Sequence, residues 1–446
     1  MNHPSPHKRT PIPVRNWFVI AVLSLSGQIA WGVENAWFNT FVFDTLTPDP
    51  RPIAWMVAIS AITATVTTLL MGTLSDRTKT RFGRRRPYIL FGYIVWGIIT
   101  AAFPAVSLLR PIGVAVFLVV AADAIMTFFG STANDAAFNA WVTDITDTTN
   151  RGRVEGLLSM ASFVSFIITF ALAGIVIEQY GYFVFFYGLG GFVTITGLIG
   201  GLILKDAPLT EEEQNIQRTA YWKEIRQVFS LNIIKENKIL FLLFIGIVIN
   251  SIAWQTTFPY LLIYIEHFLG FGKSEYGLIM GAVLIITALS TIPIGMVVDR
   301  VDRRGFIIWM AFLASVTALL FSFARGMVVV LVFGVLMTVN MAAFGIVSNA
   351  WLKDLYPKQN RGQFQGVRLF FWVMIPMIIG PAIGSFLISN YGIPTTMNGE
   401  AGFIPTPIIY YAATIINLFA ILPLLRIPKK IKSSPSQEVT DDNITS

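Results

Sequence analysis

Residues 139–156 read "NAWVTDITDTTNRGRVEG", and residues 349–366 read "NAWLKDLYPKQNRGQFQG". Eight of the eighteen positions are identical across a shift of 210, where composition alone gives about one. A second pair supports the first: "GTLSDR" (72–77) returns as "GMVVDR" (295–300), shifted by 223. The same shift carries Ile29-Ala30-Trp31 onto Ile252-Ala253-Trp254, and Thr68 onto Thr291. The chain is therefore a duplication, each half holding the same landmarks in the same order.

What is duplicated follows from hydropathy. The 446 residues are 54% hydrophobic and 13% charged, with 36 Phe and 11 Trp, and the mean hydropathy is +0.66. That balance belongs to a chain whose solvent is lipid. Apolar runs long enough for a hydrocarbon core of about 30 Å fall near 17–43, 53–75, 88–108, 112–143, 155–178, 182–204, 238–265, 274–298, 305–325, 327–352, 367–389 and 407–427. They predict an all-α integral membrane protein of twelve spans in two six-helix bundles, 17–205 and 238–427. A polar linker, 206–237, joins them, with tails at 1–16 and 428–446. The basic N-terminal stretch precedes a run far longer than a signal peptide's apolar core, so it reads as a retained first span.

Loop charge sets the orientation. Cations crowd the loops after spans two, four, eight and ten: Arg77, Lys79, Arg81, Arg84, Arg85 and Arg86, then Arg151 and Arg153, then Arg300, Arg303 and Arg304, then Lys353, Lys358 and Arg361. The opposite loops hold little beyond Arg51, Arg110, Lys273 and Arg325. By the positive-inside rule the rich loops and both termini are cytoplasmic, and the protein is expected in the plasma (inner) membrane as a monomer among lipids. The Arg-rich stretch is thus a loop between spans and not a nucleic-acid site. Parallel repeats of six spans are the plan of a two-bundle transporter. Cysteine is absent and the three histidines are scattered, so neither disulfide nor metal is expected. No phosphate-binding Gly-x-x-x-x-Gly-Lys loop appears, so ATP does not drive it directly, and no nucleophile, base and acid set suggests an enzyme.

Gly72-x-x-x-Asp76-Arg77 followed by Arg84-Arg85 resembles the signature loop between helices two and three of the major facilitator superfamily. The longer form, Ser75-Asp76-Arg77-Thr78 then Arg81-Phe82-Gly83-Arg84-Arg85-Arg86-Pro87, is similar to that of the glycoside–pentoside–hexuronide:cation symporters and the sucrose–proton symporters. This resemblance implies alternating access, and it matches Asp135 in "GSTANDAAFNAWVTD" to the family's sugar-binding aspartate. Two departures stand out. Ala64 and Thr68 occupy the places of the paired helix-two aspartates of melibiose-type sodium sites, and helix eleven, "FFWVMIPMIIGPAIG", lacks the expected lysine. A proton is then the expected coupling ion, with no cofactor.

Mid-membrane carboxylates are expensive and are functional candidates by default. Glu34, Asp123 and Asp135 qualify. Asp123 lies about 120° round and about 18 Å along the helix from Asp135, and reads better as an outer-leaflet contact. Gln28, Gly32, Asn35 and Asn39 form a polar stripe on span one, bordered by Trp31. Asn139 shares a face with Asp135, while Asn250, Trp254 and Gln255 repeat the stripe in span seven. Amide and carboxylate partners beside Trp faces suit a small polar solute, a sugar above all. Asp135 is the central candidate, with Glu34 a second proton carrier. An exporter of drugs or metabolites would instead need an apolar cavity, and a transport-like sensor would show no flux. At the cytoplasmic end, Asp76 and Asp144 beside Arg77, Arg81, Arg84 and Arg151, with Asp299, Arg300, Asp354 and Arg361 in the second half, are expected to form latches that hold that face closed.

Overall fold

The computed structural model describes residues 12–147, 149–206, 237–298, 300–356 and 367–428. The expected latch residues Asp299 and Arg361, most of the linker, and most of both tails lie outside the described residues. Among the described residues eleven long apolar helical runs carry the fold, and one of them, divided at Gly181, makes twelve spans. In the first half these are α1 (Val14–Leu46), α2 (Arg51–Arg77), α3 (Arg86–Leu108), α4 (Ile112–Asp144), α5 (151–180) and α6 (182–203). The second half holds α7 (Lys238–Phe268), α8 (Lys273–Val298), α9 (Arg303–Ser322), α10 (Met327–Leu355), α11 (Val367–Tyr391) and α12 (Ile408–Leu425).

Helices α5 and α6 run on without a loop. Together they span 53 residues, about 80 Å at 1.5 Å per residue, far more than one membrane crossing. Gly181 makes the break, with φ 79° and ψ 171°, a conformation glycine enters without a Cβ clash. Large apolar side chains such as Trp55, Phe91, Phe117 and Ile292 face outward, as a lipid solvent requires.

Arg86 donates to the carbonyls of Gly201 (2.7 Å) and Leu202 (2.8 Å) at the end of α6. Arg304 does the same to Leu425 (2.9 Å) and Ile427 at the end of α12. In each half a cation thus satisfies the last free carbonyls of the half's final helix. The duplication is visible at single bonds.

The halves meet at the end opposite the arginines. Helix α8 crosses α5 closely: a Cβ on Gly174 would lie 2.4 Å from the Lys273 carbonyl, so only glycine permits that approach. An unanticipated hairpin, β1 (Ile393–Met397) and β2 (Glu400–Ile404), turns through Asn398 (φ 54°) and Gly399 (φ 82°), the Asn-Gly pair that a two-residue hairpin turn favours. It reaches the other half, where Phe403 N donates to the Pro48 carbonyl (3.1 Å) and Asn398 Nδ2 to that of Asp44 (2.7 Å).

At the same end Asp44 gathers a network. Its carboxylate meets His267 Nε2 at 2.9 Å and Lys273 Nζ at 2.8 Å, and accepts from Tyr182 OH at 2.7 Å. Lys273 also pairs with Glu266, and Glu178 accepts from the Ser274 amide. The histidine read as isolated thus joins Asp44 and Glu266 in one cluster, where the Lys273 ammonium binds both carboxylates.

Candidate solute-binding site

Helix α4 changes its winding where the chemistry lies. Residues Ser131–Phe138 form a π-helical segment, the kind of insertion that recurs at functional sites because it re-aims side chains and loosens backbone bonds. Asp135 sits within it, partly exposed, while its neighbours Ser131, Asn134 and Ala136 are buried. Asn134 Nδ2 donates to Asp135 Oδ1 (3.1 Å), and Tyr93 OH fixes the other end of that amide by donating to its Oδ1 (2.8 Å). A buried relay from α3 therefore orients the carboxylate. Trp31 and Ser131 stand beside it, and Trp31 packs on Trp96 with ring centroids 4.9 Å apart.

A pocket of about 240 Å³ is lined by Ser24 and Gln28 of α1, Asn134, Phe138 and Asn139 of α4, and Glu155, Leu158, Ser159 and Ser162 of α5; Asp135 and Trp31 are not in its lining, and Asp135 adjoins it through its partner Asn134. All the lining residues lie on the arginine-rich side of their helices. Gln28 and Asn139 line the pocket as expected from sequence. Glu155, Ser159 and Ser162 were not anticipated, although three polar residues at i, i+4 and i+7 on one helical face are a readable stripe.

Several expected site residues lie elsewhere. Asn35 and Asn39 donate to their own helix, to the carbonyls of Trp31 (2.8 Å) and Asn35 (3.0 Å). Asn250 donates to Asn417 (2.9 Å) and, with Trp254, lines a separate space of about 30 Å³ inside the second half, shared with Asn340 and Tyr410. Trp254 stacks on Phe258, and Gln255 packs at Gly380 of α11. The second-half residues therefore do not join Asp135 in one pocket. Glu34 is buried, with Ser60 and Thr127 against it. Asp123 is 1% exposed and lies one turn from Thr127 on the same face of α4, so it packs beside that cluster.

The sequence profile of the Major Facilitator Superfamily matches residues 16–268 and 243–442. The chain belongs to that superfamily. This superfamily member is a membrane transporter and not an enzyme. It is 26% identical over 171 residues to an uncharacterised MFS-type transporter of Methanocaldococcus jannaschii, a match covering 36% of this chain and 44% of that relative. Its fold is similar to a bacterial homologue of the lysosomal transporter Spinster in an inward-facing, occupied conformation (TM-score 0.73, 12% identity, 96% and 100% of the two chains covered). It is similar too to the nucleoside transporter NupG (0.68, 15%, 93% and 99%) and to a D-xylose-proton symporter (0.68, 14%, 93% and 98%).

In this superfamily member the signature loop pairs its arginines with the aspartates that end α2 and α4. Arg84 meets Asp144 at 2.8 Å, and Arg85 bonds Ser75, Asp76 and Asp144 (3.3 Å to the last). Asp206 accepts from the Arg85 and Arg86 amides (3.0 and 3.3 Å) at the start of α3. Every one of these bonds stays within the first half, and Arg303–Asp354 stays within the second. Arg77, Arg81, Arg151 and Arg300 are exposed, and Arg81 lies over the Phe82 ring. These pairs brace each half as a rigid body.

That bracing has a measurable consequence. Arg85 is 3% exposed, and removing one partner of a buried ionic network costs about 3–5 kcal/mol. Arg85→Ala is expected to lower the thermal unfolding midpoint of the purified protein in detergent by several degrees; an unchanged midpoint contradicts the bracing role.

Proposed function

We propose that this chain is a proton-coupled symporter of a small polyhydroxylated solute, a glycoside or oligosaccharide, working by alternating access. The observation that supports this most is Asp135: a partly exposed mid-span carboxylate, oriented by Tyr93 and Asn134, beside a pocket lined with amides and hydroxyls. A carboxylate accepts from two adjacent sugar hydroxyls at once, and the Trp31 face offers a stacking surface for the apolar side of a pyranose ring. On this reading the arginine-rich end faces the cytoplasm of the plasma membrane, by the positive-inside rule. The conformation is then open toward the cytoplasm and shut outside by the Asp44 network. The two halves are the moving domains, and one chain suffices.

Counterflow in proteoliposomes, with a panel of labelled sugars and glycosides, tests the reading. Exchange of at least one sugar is expected. Its accumulation follows an imposed pH gradient, collapses with a protonophore, and is indifferent to sodium. Exchange of apolar drugs with no sugar exchanged favours an exporter, and no flux at all favours a sensor.

A further inference from the structure

Behind Trp31, away from the pocket, α1, α2 and α4 bring four oxygen-bearing side chains together. Ser60 Oγ lies 2.7 Å from Glu34 Oε1, Thr127 Oγ1 lies 3.0 Å from the same oxygen, and the two hydroxyls are 2.7 Å apart. These are three hydrogen-bond edges among three oxygens, and the two hydroxyls supply only two protons. A third proton, on Glu34 Oε1, closes the ring so that each oxygen donates once and accepts once. Asp123 lies one turn from Thr127 on the same face of α4, about 6 Å nearer the α4 N-terminus.

Burial makes the cluster chemically demanding. Glu34 is 7% exposed, Asp123 1%, Ser60 6% and Thr127 fully buried. Glu34 Oε2 and Asp123 Oδ1 have no hydrogen-bond partner. The charged groups acting on the pair are its own two members and Asp135, all acidic. Two neighbouring carboxyls that face no cation among the described residues cannot both be ionised in a low-dielectric interior.

We infer that Glu34, Asp123, Ser60 and Thr127 form a proton-carrying site separate from the solute pocket, the coupling proton resting on Glu34 and exchanging with the outer face through Asp123. The inference rests on the symport reading above and divides its labour: Asp135 holds solute and the buried pair holds the proton. Only O–H bonds form and break. The proton arrives from outer water onto Asp123, passes to Glu34, and leaves to cavity water past Asp135, whose charge Glu34 already feels. With the outer end shut, the pair is closed to that side; with it open, Asp123 is the first carboxyl on the path.

Two measurements test this. Infrared spectroscopy of the purified protein near neutral pH should show a protonated-carboxyl stretch, shifted by deuterium, that is lost in Glu34→Gln and altered in Asp123→Asn. In proteoliposomes the same variants should lose pH-driven accumulation, the ratio of internal to external sugar falling to about one, while counterflow at equal pH continues. Failure of all counterflow in the parent protein sinks the symport reading itself. Counterflow with accumulation intact in both variants sinks only the proton site. Absence of the carboxyl band in the parent overturns the inference even where a variant does not fold. Loss of the band on adding sodium at fixed pH overturns it in favour of a metal cation.

Discussion

Asp135→Asn is expected to abolish uphill accumulation of solute and to weaken its binding by roughly 10- to 100-fold, the loss of one hydrogen bond to a charged group at about 1.5–3 kcal/mol. The amide keeps the shape and the Asn134 contact, so the fold is retained. What disappears is an acceptor able to take two hydroxyls with both oxygens. Asp135→Glu, one methylene longer, should bind nearly as poorly, because the relay from Tyr93 through Asn134 places the carboxylate for an aspartate's reach. Equilibrium binding by titration calorimetry, alongside accumulation, checks both. Undiminished affinity in Asp135→Asn would remove Asp135 from the solute site.

The second large effect concerns Lys273. It is the ammonium between two carboxylates from different halves, Asp44 and Glu266, with side chains only 13–17% exposed. Lys273→Ala leaves those acids facing each other beside His267, and uncompensated buried charge costs about 3–5 kcal/mol. The closed end at Asp44 bears that cost, and separating the halves relieves it by wetting both acids. A shift of that size, about 160- to 5,000-fold, takes a population ratio of 100 to one below parity. With no native cysteine in the chain, spin labels at Arg110→Cys in the first half and Thr396→Cys in the second report the separation cleanly. One short distance is expected in the parent, and a dominant longer one in Lys273→Ala. An unchanged distance distribution in the variant refutes the gating role.

Much of this architecture is legible in the sequence because lipid imposes long apolar runs and duplication repeats their landmarks. The twelve spans, the two halves and the mid-span position of Asp135 follow from that. What escapes is whatever depends on partners distant in the chain. Asp44, Tyr182, Glu266, His267, Lys273 and Asn398 each look like an ordinary residue near the end of a span, and only assembly makes them one network. Asn250 reads in sequence as a cavity-lining amide, yet Asn417 on α12 claims it. Asn35 and Asn39 are satisfied one turn back on their own helix, an option always open to an Asn in a helix. The arginine loop was readable as a set of ion pairs but not as bonds confined to one half, since pairing across or within halves gives the same string of letters. The π-helical turn at Asp135 leaves no mark in residue type at all.

The hairpin carries a built-in stopwatch. Phe403 lies opposite Pro394 in the strand register, and its amide proton is spent on the Pro48 carbonyl of the other half. That single N–H can trade its hydrogen for deuterium only when the bond lets go. Its exchange rate in heavy water therefore counts how often the outer end parts, one residue timing the whole transporter. Solute that stabilises the closed outer end should slow that clock, and solute that must enter from outside sets its pace as the upper limit on turnover.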